Sequence, residues 1–212
     1  EHSFGLHVAR MAGMPKQVLT EVLDLVAVGT VGDIMPLVDE NRTMVKFGLK
    51  VLNLARRKGL RKLMERTSLH IGKISSENIS FVIVPHLNAS GRIEDASQAV
   101  ELLLGNCSNA RLDEIVNDVI KKNNMRKKLQ AELFKQCQAE IDRDDLEDLI
   151  LIHAEDAHEG IAGIVAGKLK ETYYRPSIIV TTTGADGDEL KGTGRSIEGV
   201  NLYELLKSQE EL

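Results

Sequence analysis

The sequence predicts an α/β protein of two lobes joined by a long helix, and three observations carry that expectation. In the last third of the chain, LEDLILIHAED, IAGIVAGKLKETY and PSIIVTTT succeed one another as strand, helix and strand. A stretch without Gly or Pro, 108–142, keeps a helical apolar period throughout. Earlier, short apolar runs end in glycine and polar residues, as strands do at the edge of an α/β sheet.

In chain order, LDLVAVGTVGDIMPL (23–37) reads as a buried strand, a glycine turn and a second apolar stretch. Val45, Leu49, Leu52 and Leu54 give a helix over 43–55; Gly59 breaks it and 60–66 forms another. Ser75, Ser76 and Glu77 cap a turn before a strand at 79–84, where Ile79, Phe81 and Ile83 alternate. Residues 96–104 read as a helix stopped by Gly105 and Asn106. The long helix starts at a cap on Ser108; at roughly 35 residues it would measure about 50 Å, more than one compact domain needs. It therefore reads as a connector (108–146) between lobes at 1–107 and 147–212. The strand–helix–strand succession predicts a βαβ unit with a parallel pair and a right-handed crossover. TGADGDEL follows as the turn of a hairpin, then KGTGRS as a loop, and 201–206 as a final segment.

Composition narrows the function classes. No apolar stretch approaches the roughly 20 residues that span a bilayer, and no signal-peptide pattern opens the sequence. Cys107 and Cys137 have neither zinc-ligand spacing nor the density of a disulfide framework, which points to a reducing cytoplasm. Aromatic content of 3% with no Trp argues against a base-stacking platform. The net charge of −5 conceals a run from Arg42 to Lys73 with ten Lys/Arg and one acid, and a second basic cluster, KKNNMRKK, at 121–128. Each suits either a solvated face or a polyanion surface.

Four stretches join glycine to polar groups at apolar-run ends, where ligands of open α/β sheets bind. In GTVGD, Asp33 can reach a metal or bond its own backbone in a turn. In VPHLNASGRI, Asn88 and Ser90 can cap a helix starting near Asp95, while His86 and Arg92 offer phosphate donors beside Gly91. In HAEDAHEGIAG, His158 and Gly160 stand at a helix N-terminus, where backbone N–H groups attract anions; tight packing explains the later glycines equally well. In KGTGRS, Gly194, Arg195 and Ser196 make a donor-rich loop or a plain turn.

The order of these motifs resembles the RecJ-type single-strand-specific exonucleases of the DHH phosphoesterase superfamily. The matching stretches are LDLVAVGTVGDIMPLVDENRTMVKFGLKVLN, KISSENISFVIVPHLNASGRIEDASQAVELLL, HEGIAGIVAGKLKETYYRPSIIV and LKGTGRSIEGVNLYELL. The resemblance implies the end of a DHH-type parallel-sheet lobe, a connecting helix and the start of a DHHA1-type α/β lobe, with the active site in the cleft between. It implies a Mn²⁺ or Mg²⁺ ligand role for Asp33. It implies contacts to single-stranded DNA for Asn88, Gly91 and Arg92, for His158 and Gly160, and for Gly194, Arg195 and Ser196. The reaction implied is metal-dependent phosphodiester hydrolysis serving DNA repair or recombination.

Departures qualify it. The D-x-D-x-D-G and D-H-H motifs that supply most metal ligands are absent, as is a later Gly-Gly-His, so this polypeptide alone is expected to be inactive. His86 replaces the usual Arg and Ala157 the usual Trp, and residues 2–13 look more like part of the MutS mismatch-repair ATPases. A non-catalytic nucleic-acid-binding module and a DHH phosphodiesterase for short oligonucleotides or cyclic dinucleotides are the alternatives.

Overall fold

The computed structural model describes residues 13, 15–142, 144–183 and 189–209. Residues 2–12 of the MutS-like stretch and the hairpin tip at 184–188 lie outside them. The chain divides into two compact units, Glu1–Asn123 and Asn124–Leu212.

Among the described residues the first unit is wholly helical: α1 (Lys16–Glu21), α2 (Leu23–Gly32), α3 (Asp39–Asn53), α4 (Lys58–Arg66), α5 (Ser76–Asn78), a π-helical stretch (Ile79–Ile83), α6 (Val84–Ile93), α7 (Ser97–Leu104) and the first part of α8 (Asn109–Glu140). Two strand expectations are thereby overturned. LDLVAVGTVG is α2, with Asp24, Ala27, Val28 and Val31 buried at helical spacing. An unbroken apolar run carries no period of its own, and here its partner is another helix. A Cβ on Gly48 of α3 would overlap the Leu23 carbonyl oxygen, so only glycine admits that approach.

The alternation at 79–83 is also helical. Ile79 and Ile83, four apart, are both fully buried, while Phe81 between them is 79% exposed; a strand would place all three on one face. Ser75 starts this run with a capping box, its Oγ accepting from the Asn78 N–H at 3.4 Å and its own N–H donating to Asn78 Oδ1 at 3.0 Å. Pro85 explains the wide turn. It has no N–H, and its ring would crowd the carbonyl one α-turn back, so the ladder opens to a π bond from Val84 N–H to the Ile79 oxygen.

VPHLNASGRI is therefore a helix, α6, rather than a loop after a strand. Ser90 is buried within it, and Asn88 is exposed on the same helix, well before Ser97 begins α7. Neither caps α7, whose N-cap is Ala96 without a side-chain cap bond; beside it, hydrogen bonding by Ser97 holds the Asp95 carboxyl below its usual range.

The second unit follows the sequence more closely. β1 (Ile150–His153) and β2 (Ser177–Thr183) pair in parallel around α9 (Glu159–Tyr173). β3 (Glu189–Arg195) pairs antiparallel with β2, completing a three-stranded sheet in the order β1-β2-β3, and α10 (Leu202–Lys207) follows. KGTGR thus lies inside a strand, not in the expected loop: Ile178 faces Gly194 and Ser177 faces Arg195 in the register. Burial of Ile161, Ala162, Val165, Ala166 and Leu169 fixes α9 on the sheet. The C-terminal part of α8 adds Leu133 and Cys137, with Lys168 of α9 stacked 4.0 Å over Phe134.

Candidate nucleic-acid interface

The second unit gathers donors on one face. His158 is the N-cap of α9, and its Nδ1 accepts the Gly160 N–H at 3.1 Å. In the neutral ring that bond leaves the proton on Nε2, which is then the ring's donor. One turn on, a Cβ on Gly163 would meet Arg195 Nη2 and Thr193 Cγ2, each at 3.1 Å. The Arg195 side chain therefore lies along the glycine face of α9, which only small residues leave open. Strand alternation places Lys191, Thr193 and Arg195 on that same side of β3. Lys191 binds Glu159 at 2.7 Å and holds its carboxyl below the usual range.

The structure thus lays Arg195 along the helix that His158 and Gly160 open, and it separates their predicted companions. Gly194 faces the other way, toward Ile178 and Leu202, where an added Cβ would stand 3.4 Å from each. Ser196 donates its hydroxyl to the Val200 carbonyl at 2.6 Å and closes a turn. Lys191 escaped the sequence reading because its period-2 spacing with Arg195 has meaning only in a strand.

In the first unit, Asn88, Gly91 and Arg92 of α6 are exposed, while Leu87 and Ser90 are buried. His86 is buried, and its Nδ1 bonds the Val82 carbonyl at 2.7 Å, an in-helix partner in place of a ligand. Asp33 is the exposed C-cap residue of α2. Its neighbour Gly32 packs on the start of α6, where an added Cβ would stand 2.9 Å from Val84 Cγ2. Asp33 offers one carboxylate, and among the described residues no three His, Cys, Asp or Glu side chains converge to hold a metal ion.

The basic run is partly spent on structure. Arg57 forks onto the buried Asp24 (2.9 and 3.1 Å), Lys62 binds Asp113 at 2.7 Å and Arg61 binds Glu65 at 2.9 Å. Arg42, Lys46 and Lys50 stand exposed along α3. No described helix is long and apolar enough to cross a membrane.

Comparison with known proteins agrees with this fold. The DHHA1 domain model matches residues 147–211. The single-stranded-DNA-specific exonuclease RecJ of Bacillus subtilis (strain 168) is 36% identical over 189 residues, which are 88% of this chain and 24% of that protein. RecJ of Escherichia coli (strain K12) is 35% identical over 201 residues, 92% of this chain and 34% of that protein. The crystal structure of RecJ from Thermus thermophilus in complex with Mg²⁺ superimposes with a TM-score of 0.82 at 31% identity, covering 96% of this chain and 31% of that one. A manganese-bound exonuclease RecJ gives 0.79 at 30% identity, covering 96% and 49%. The chain thus spans about a quarter to a third of the curated relatives it matches. In sequence and in fold, it is similar to the RecJ exonucleases along nearly all of its own length, and the DHHA1 domain model accounts for residues 147–211.

Proposed function

We propose that this chain supplies the nucleic-acid-holding part of a metal-dependent, single-stranded-DNA-specific exonuclease acting in cytoplasmic DNA repair or recombination. The observation that carries it is the seating of Arg195 along the glycine face of α9, beside the helix that His158 opens. A guanidinium, an ammonium (Lys191) and an imidazole donor on one face suit a phosphodiester backbone and read no base. Asn88, Gly91 and Arg92 of α6 are the second contact group, and Asp33 is the residue here that would ligate Mn²⁺ or Mg²⁺. On this reading residues 1–107 are the C-terminal part of a DHH-like lobe, 108–146 the connector and 147–212 a DHHA1-like lobe.

A single carboxylate does not make a two-metal centre, so this polypeptide alone binds single-stranded DNA without cutting it. Fluorescence anisotropy with a labelled single-stranded oligonucleotide tests it. Binding should weaken steeply with salt, and Arg195→Ala and Arg92→Ala should each lower affinity about tenfold. Unchanged affinity in both variants would make the motifs structural, and Mn²⁺-dependent nucleotide release by the purified chain would overturn the division of labour.

A further inference from the structure

The cluster KKNNMRKK reads as one basic patch, yet the structure divides it. Lys121, Lys127 and Lys128 are exposed, whereas the Lys122 side chain is 8% exposed. Its Nζ lies 2.8 Å from Glu94 Oε2, 2.9 Å from Asp118 Oδ2 and 2.8 Å from Gln98 Oε1. One N–H of the ammonium donates to Gln98 Oε1, and the Glu94 and Asp118 carboxylates stand in ion-pair range of the same group. Burial disfavours its charge, but the Glu94 and Asp118 carboxylates outweigh that and raise its pKa above the usual lysine value.

The acceptors come from three places: α8, α7 and Glu94, the residue that caps α6 two positions after Arg92. Next to it, Asp95 is fixed by Ser97, and Ala96 folds back until an added Cβ on Gly91 would come 3.3 Å from its own. The α6–α7 junction is thus tied at successive residues. We propose that Lys122 is a positioning residue: by anchoring Glu94 to α8 and α7, it fixes the end of α6 that presents Gly91 and Arg92 to a nucleic-acid phosphate. This rests on the phosphate-contact reading of α6. A lysine serving DNA through its own charge would be exposed, and this one is enclosed by its acceptors.

Lys122→Met keeps the buried stem and removes the charge. Single-stranded-oligonucleotide affinity should fall on the order of tenfold, as for Arg92→Ala, and the double variant should be little worse than either single one. Lys122→Arg should restore most of the affinity. Should Lys122→Met lose its helical signal on purification, Glu94→Gln breaks the same link from an exposed side chain and should give the same loss. Full affinity in Lys122→Met with a loss in Arg92→Ala, or losses that multiply independently, would overturn the proposal. If Arg92→Ala itself binds normally, the phosphate reading of α6 fails. The anchoring is then judged from amide hydrogen exchange at 91–96, where faster exchange in Lys122→Met supports it and unchanged exchange overturns it.

Discussion

The first unit buries a few of its charges as internal ties, whereas the second keeps its cations at the surface. Asp24 and Arg57 form a two-pronged pair inside the helical packing, with a third bond from Arg57 Nη1 to the Leu103 carbonyl at 3.1 Å. Lys122 is likewise enclosed. In the second unit, Lys191 and Arg195 lie exposed over an aliphatic layer supplied by α9 and β2. Short helices have ends that need polar partners and little width to hide them, so the all-helical unit uses ion pairs as internal ties. A sheet satisfies its backbone along the ladder and leaves its side chains for other work.

Removing one tie gives the largest test of that contrast. Arg57→Ala leaves a buried carboxylate unpaired and should cost about 3–5 kcal/mol. All three tyrosines (173, 174 and 203) belong to the second unit. In urea, the helical circular dichroism should therefore be lost earlier while the tyrosine signal keeps its midpoint. A common shift of both would show the units to be energetically inseparable.

Two glycines sharpen the comparison with opposite signs. Gly59→Ala drives a Cβ into the Leu102 carbonyl oxygen and should destabilise by about 3 kcal/mol. Gly167→Ala, inside α9, meets only Arg195 Cγ at 3.9 Å and should stabilise by up to about 1 kcal/mol through helix propensity. Denaturant midpoints of the two variants read both signs, and a stable Gly59→Ala protein would contradict the close packing of α4 on α7.

Thiol chemistry separates the units more gently. Burial, with Glu140 nearby, pushes Cys137 up to about 11, whereas Cys107 is half-buried and also raised, first by burial and then by Glu101. A disulfide reagent at neutral pH should modify Cys107 slowly and spare Cys137 until the chain unfolds.

The smallest effect concerns Glu159. Lys191 depresses its folded pKa, so its contribution is complete above the unfolded carboxylate value and disappears as pH falls through the depressed one. A carboxyl NMR titration should place Glu159 below an ordinary glutamate, and Lys191→Met should return it to the usual range.

How far the sequence could be read depended on what bounded each run. Around the second sheet, strand, helix and strand were marked by residues that permit one period only: β-branched SIIVTTT after Arg175-Pro176, and glycine-spaced α9 after His158. In the first unit, the few polar residues of LDLVAVGTVG and ISFVI do not mark a helical period, and both stretches proved helical. The long helix was legible because its apolar repeat persists far longer than a strand can run.

The sequence by itself determined which residues carry the chemistry-bearing motifs, because glycine, arginine and histidine keep their identity and order whatever the backbone does. Only the tertiary structure decided which of them meet. A strand sends neighbouring residues to opposite faces, and that parted Arg195 from Gly194. Helix packing enclosed Lys122 while leaving Lys121 in water. Such sorting depends on contacts between residues far apart in the chain, and no local pattern encodes them.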